Sequence, residues 1–166
     1  MVSRDVWLVT AAGVPKLRGR RVRAGGIVPF SPAGPIPDPA ASRMQKVIHM
    51  TSRHGTTTLW RPTGPRELDL VRELKWRAWP ARLVGQPFFY PVLNEDYAVK
   101  IARDWNVKHD GAGFVTRFEV ESQFLSRYPV RQAGGQTILE LWVPAEELDD
   151  FNAHMAGEIE VVHEFR

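Results

Sequence analysis

Five prolines fall within the eleven residues from Pro29 to Pro39. Each one fixes φ and lacks a backbone donor, so neither a helix nor a strand ladder can run through the stretch. Residues 1–55 as a whole carry six of the 13 Pro and six of the 13 Gly, and any core of this 166-residue chain must come from residues 56–166. That is the length of one ordinary domain. Five of the six Trp lie there, enough large apolar surface for one core.

Charge divides at the same place. The formal net charge of +3 hides two unlike parts. Residues 1–55 hold nine Lys/Arg against two acids, a net +7; residues 56–166 hold 13 against 17, a net −4. The run Lys16-Leu-Arg-Gly-Arg-Arg-Val-Arg23 is a solvated basic cluster. An apolar patch, Val6 to Val14, precedes it with Asp5 in front, the wrong order for a secretion signal. Three readings of this segment stay open: a disordered extension, a nucleic-acid or membrane-surface arm, and an untranslated leader ahead of a start at Met44 or Met50. Nucleic acid is expected as a partner only through this tail.

The chain has no Cys, which excludes disulfides, thiolate metal sites and a Cys nucleophile. No apolar run approaches the roughly 20 residues of a membrane-spanning helix. A soluble, cytoplasmic protein with no membrane partner is expected.

In the body, Thr56 to Arg61 is β-branched and aromatic and reads as a strand. Pro62-Thr-Gly-Pro65 turns the chain, and Pro65 followed by Glu67 and Asp69 opens a helix over 65–76. Residues 77–87 form a loop. Phe88 to Val92 is a short strand interrupted at Pro91. Asn94 caps a second helix, 95–106, with Tyr97, Ile101 and Trp105 on its apolar face. Phe114 to Val120 alternates as a strand with one wet face. One helical turn over 122–127, a weak strand over 128–132, a Gly134-Gly135 hairpin and a strong strand over 136–143 come next. A third helix begins at Pro144 and is stopped by Gly157, and 158–165 closes the chain as a strand. The class is α+β: a compact mixed or antiparallel sheet with about three helices.

Several chemistries find no support. There is no phosphate-binding Walker sequence, and Gly111-Ala-Gly113 precedes a strand rather than a helix. No Gly-x-Ser-x-Gly elbow occurs, and the five His show no metal-ligand spacing. His163 reads as a satisfied core residue beside Ile159, Val161 and Phe165. What remains is three polar residues set within apolar strands: Arg61, Tyr90 and Glu140. Glu140 alternates with Ile138 and Trp142 on one face, and Leu139, Leu141 and Val143 occupy the other. Either it is partly buried, needing partners or a raised pKa, or it lies on the wetter face of an edge strand. Phe88, Phe89 and Trp60 have both a core reading and a stacking one.

Several stretches resemble a small actinobacterial family named for ADP-ribosylation/crystallin J1: Thr58 to Leu68, Gln86 to Ala98, Ala102 to Asn106, Gly113 to Val120 and Glu140 to Leu148. The resemblance spans roughly Thr56 to Arg166, and the order of elements is similar to the ADP-ribosyltransferase-like fold. It implies a domain that binds NAD as its substrate, without a metal. Carried over by position, Arg61 contacts NAD, Tyr90 shapes the nicotinamide pocket, and Glu140 acts on the nicotinamide ribose, with Tyr97 a rival for the aromatic position. Thr63, Gly64 and Phe89 complete the implied NAD site. Transfer of ADP-ribose to a protein or nucleic-acid acceptor is the implied reaction. The alternative is an inactive module of the same fold that binds a protein partner in the manner of an antitoxin or immunity protein.

Overall fold

The computed structural model describes residues 42–43, 55–132 and 138–166. Apart from Ser42, Arg43 and Gly55, the expected tail lies outside the described residues, and so does the Gly134-Gly135 hairpin. The architecture is mixed α+β, with small antiparallel sheets and short helices.

Strand β1 (Thr56–Thr63), β3 (Gly113–Glu121) and β7 (Met155–Phe165) pair antiparallel in the order β1-β3-β7. Two short pairs complete the ladder system. β2 (Phe88–Phe89) pairs with β6 (Val143–Pro144), and β4 (Val130–Gln132) pairs with β5 (Leu139–Leu141). A single residue, Val92, joins them to the larger sheet, bridging Trp60 on one side and Glu140 on the other. The bridges Val92↔Glu140, Phe89↔Val143 and Phe88↔Pro144 share one register, so residues 87–93 run continuously antiparallel to 139–145. The Leu141 N–H donates to the Pro91 carbonyl (3.0 Å) and that of Ala145 to Pro87 (2.9 Å).

Helix α1 (Pro65–Glu73) starts as expected, with Pro65 in its first turn, but ends three residues early. Lys75 and Trp76 both have left-handed φ, 58° and 63°. The Trp76 N–H reaches the Val71 carbonyl and that of Lys75 reaches Arg72. This is a Schellman closure, with Trp76 laid against the core.

Helix α2 (Glu95–Ile101) is capped by the Asn94 side chain, which accepts from the Tyr97 N–H. It does not stop at 106. A π-helical turn (Ala102–Asn106) carries the chain into α3 (Val107–Asp110), which ends at Gly111. The Val107 N–H bonds back to Ala102, five residues earlier, so one residue is inserted into the helical phase. The turns α4 (Ser122–Leu125) and α5 (Leu148–Ala153) cover the opposite side, the latter entered through a 3₁₀ turn, Ala145–Glu147.

Two clusters form the core. The larger gathers Leu59, Phe118 and Val120 from the sheet with Trp79, Phe89, Leu125, Leu141 and Phe151. The smaller lies under α2, where Tyr97, Ala98 and Ala102 meet Val92 and Val115. The approach of the π turn to β3 is close enough to require glycine at 113. A Cβ there would stand 2.0 Å from the Ala102 carbonyl oxygen, and backbone cannot swing aside. Gly113→Ala is therefore expected to cost about 3 kcal/mol or more, at or above the usual overpacking range. At Gly111 (φ 80°) a Cβ meets nothing within 4 Å, so Gly111→Ala pays only the left-handed backbone, about 1 kcal/mol. Parallel urea denaturation of the two variants checks the contrast; equal losses would refute it.

Gly157 does not stop a helix. It sits within β7 at φ 85°, where the register against β3 slips between Arg117 and Glu119, as in a glycine β-bulge. A second slip occurs between Val115 and Thr116. The first slip is of two residues and keeps the side-chain alternation; the second is of one and reverses it, so that His163 leaves the face of Ile159, pairs with Val115 and stays exposed rather than in the core, its Nε2 2.8 Å from Glu95 Oε1.

Candidate functional site

Along β1 the odd residues Leu59, Arg61 and Thr63 are buried toward the larger core. Across from β1, Trp60 and Val92 exchange both backbone bonds (2.9 and 2.8 Å). The next ladder bond would run from residue 62 to the Tyr90 carbonyl, but residue 62 is Pro and has no donor. Instead Arg61 turns its own side chain to that carbonyl, Nη1 donating at 3.2 Å. The sheet parts here, and a cavity of about 560 Å³ opens between β1, the start of α1, the loop around Arg82, and the α2–α3 side. Such a volume lies within the usual range for small-molecule sites.

Arg61, Gly64, Tyr90 and Glu140 all line this cavity. By cross-strand pairing Glu140 shares a face with Val92 and Trp60, opposite to Arg61. The parting of the sheet is what lets both reach one space. Thr63, Phe89 and Tyr97 are not on the cavity wall. Thr63 is buried and its hydroxyl has no partner among the described residues. Phe89 is fully buried, packed on Trp79 and Phe151 with the Arg61 guanidinium 4.7 Å over its ring, so it has no face left for a ligand. Tyr97 stands behind Glu140, its hydroxyl donating to Oε1 at 3.3 Å.

Glu140 is 1% exposed. Besides Tyr97 it accepts from Trp142 Nε1 (3.3 Å to Oε2). Burial pushes its carboxyl above the ordinary value, against the Trp142 and Tyr97 hydrogen bonds and the Arg61 charge, which favour the ionised form. The Tyr90 and Trp142 rings meet edge to face at 5.5 Å beside it. Burial and the neighbouring carboxylate both raise the Tyr90 hydroxyl, which stays neutral.

Arg61 is more occupied than its sequence setting indicates. Nε and Nη2 both bond the Glu67 carboxylate (2.8–3.1 Å), in addition to the Nη1 bond to Tyr90. Arg82 shares the same carboxylate (Nη1 to Oε1, 2.7 Å) and reaches Gln86 with Nη2 (2.8 Å). Burial alone would raise the Glu67 carboxyl, but the two guanidinium groups outweigh it and hold it below the ordinary value.

Four cavity-related residues were not singled out from sequence. Glu67 had read only as a first-turn acid, and Arg82 sits in a loop without a pattern. Asn106 ended the expected helix. Trp142 did carry a signal, since simple alternation places it on the face of Glu140. Among the described residues no group of three His, Asp or Glu side chains is placed to hold a metal ion, and no helix is long and apolar enough to cross a membrane. Comparison with models of known protein families, with curated proteins and with solved structures finds no match to this chain.

Proposed function

We propose that the chain is a cytoplasmic, ADP-ribosyltransferase-like protein whose cavity takes NAD, and that it promotes cleavage of the nicotinamide–ribose bond. One observation carries the reading. A carboxylate all but closed to solvent, Glu140, lies on the wall of a ligand-sized cavity, fixed by two donors and flanked by Tyr90 and a guanidinium. As the C–N bond breaks, nicotinamide leaves with the electron pair and positive charge develops on the ribose carbon. An ionised carboxylate hydrogen-bonded to a ribose hydroxyl stabilises that charge. The acceptor's nucleophile then forms the new bond to the ribose carbon and loses its proton. Tyr90 offers ring surface for the leaving group. Arg61, held by Glu67 and the Tyr90 carbonyl, acts as a positioning residue here. Arg66 and Arg82, which also line the cavity, are the cations nearest to hand for a diphosphate.

The commitment of Arg61 to Glu67 favours a second reading, a non-catalytic module of the same fold that binds a protein partner. Incubating the full chain with NAD separates the two. Nicotinamide release above the uncatalysed background, with a rise in melting temperature on adding NAD, is the expected result. No release and no shift at millimolar NAD would overturn the enzymatic reading and leave the binding module.

A further inference from the structure

Helix α1 carries more apolar residues than its seat in the core uses. Leu68 and Val71 are buried, while Leu70 and Leu74 are 44% and 42% exposed. A surface helix needs only one apolar stripe, the one that faces the core. The loop beyond adds Leu83 (52% exposed) and the fully exposed Val84, at a turn closed by the Gln86 N–H on the Leu83 carbonyl (2.9 Å). Six large apolar side chains are exposed among the described residues, and four of them fall in this one stretch. Sequence and cavity both join them. Leu70 and Leu83 line the same cavity, Leu74 is one helical turn from Leu70, and Val84 follows Leu83. Single exposed leucines are ordinary, whereas a contiguous set marks an interaction site.

The charge of this stretch is opposite in sign to that of its surroundings. Residues 65–87 hold five Lys/Arg against three acids, a net +2; the remainder of residues 56–166 holds eight against 14, a net −6. Within the stretch Glu67 is committed to Arg61 and Arg82, Asp69 to Arg72, and Arg77 to Glu158. The exposed Arg66 and Lys75 have no carboxylate partner among the described residues, and Glu73 is the one acid there without a cation. Arg66 stands one turn before Leu70 and Lys75 follows Leu74, so the two cations bracket the apolar stripe. We propose that this shoulder of the cavity docks an acidic, amphipathic segment of a partner protein, its apolar side chains on Leu70, Leu74, Leu83 and Val84 and its carboxylates on Arg66 and Lys75. A phosphodiester chain has no aliphatic counterpart for these residues, and the −6 around them repels a long polyanion. Two-fold pairing with a second copy would set the same positive face against itself. The inference rests on both readings of the cavity and deepens them, since the partner is the acceptor in one and the bound protein in the other.

The test titrates the full chain into two labelled synthetic peptides and reads fluorescence anisotropy. One has leucines at helical spacing with glutamates between them; the other has serine in place of every leucine. The two carry the same charge, so whatever the basic residues 1–55 attract is common to both. The leucine peptide is expected to bind about tenfold more tightly. In Leu74→Ser combined with Val84→Ser, both far from the carboxylate Glu140 in role and exposed enough to spare the fold, that preference is expected to vanish. In Arg66→Ser combined with Lys75→Ser the leucine peptide is expected to bind several-fold more weakly. Equal binding of the two peptides, or a preference that survives Leu74→Ser with Val84→Ser, overturns the proposal. A chain that sediments as a dimer on its own, and as a monomer with those two substitutions, overturns it in favour of a second copy. A single-stranded DNA oligonucleotide that loses affinity in the same variant, where the leucine peptide does not, overturns it in favour of nucleic acid. No NAD is present in these titrations, so their failure is read separately from a failure to release nicotinamide.

Discussion

Glu140→Gln is expected to lower nicotinamide release by on the order of a thousandfold, the scale of losing one electrostatic contact to a developing charge. The substitution keeps the shape and removes the charge. Its cost to the fold is bounded by the two donors that hold the side chain, Tyr97 Oη and Trp142 Nε1. A glutamine has one accepting oxygen, so one donor is left facing an amide N–H, at about 1–3 kcal/mol. Against that, a buried charge disappears. Because folding raises the Glu140 carboxyl, its ionisation is easier in the unfolded chain. Stability is therefore lost as pH climbs from the ordinary carboxylate range through the folded value. The glutamine variant escapes this loss. Nicotinamide release and urea denaturation on the same preparation separate the two effects, and full activity in Glu140→Gln would remove the residue from the mechanism. The pH profile adds an independent readout. If the ionised form works, activity rises with pH through the raised pKa. Tyr97→Phe deletes a hydrogen bond that favours the ionised form, which moves that limb to higher pH.

Glu67→Ala is the largest expected change in stability, about 3–5 kcal/mol, because it strands buried guanidinium charge. Arg61 and Arg82 both depend on this carboxylate, and their side chains are each 11% exposed. The control is to remove charge on both sides. Arg61→Met combined with Glu67→Leu is expected to recover part of the loss, because an apolar pair carries no desolvation penalty, while Arg82 keeps Gln86 as a partner. Denaturation midpoints of the single and double variants check it; a double variant no more stable than Glu67→Ala would refute the account. The dependence on pH has the opposite sign to that of Glu140. The Glu67 carboxyl is held below its ordinary value in the fold, so its contribution is fully present above about pH 4–5 and is lost as pH falls through the folded value. Acid sensitivity from this source is absent in Glu67→Ala.

The sequence was legible where a residue's role is local. Pro65 and Glu67 announce the start of α1, Asn94 caps α2, and the alternation in 114–120 marks β3. Polar residues out of place in apolar strands pointed to Arg61, Tyr90 and Glu140, all of which line one cavity. The failures have a common cause. Periodicity assumes that every turn and every pleat has the same count, and a single inserted residue shifts the face of every residue beyond it. The π turn shifts the helical phase after Ala102, and the one-residue slip in β7 turned His163 off the face of Ile159. Gly157 carried the signal of a bulge but reads equally well as a helix stop. The Arg82–Glu67–Arg61 cluster had no local trace, since it depends on where a patternless loop comes to rest.

Pro62 has a consequence for mechanics. Because it ends the ladder after one pair, Trp60 and Val92 are the only backbone stitch between the half of the sheet that carries Arg61 and the half that carries Glu140, among the described residues. A seam one residue pair long leaves the fit of the two halves to side chains: the Arg61 bond to the Tyr90 carbonyl crosses it, and the shared core packs Leu59 and Phe118 against Phe89 and Leu141.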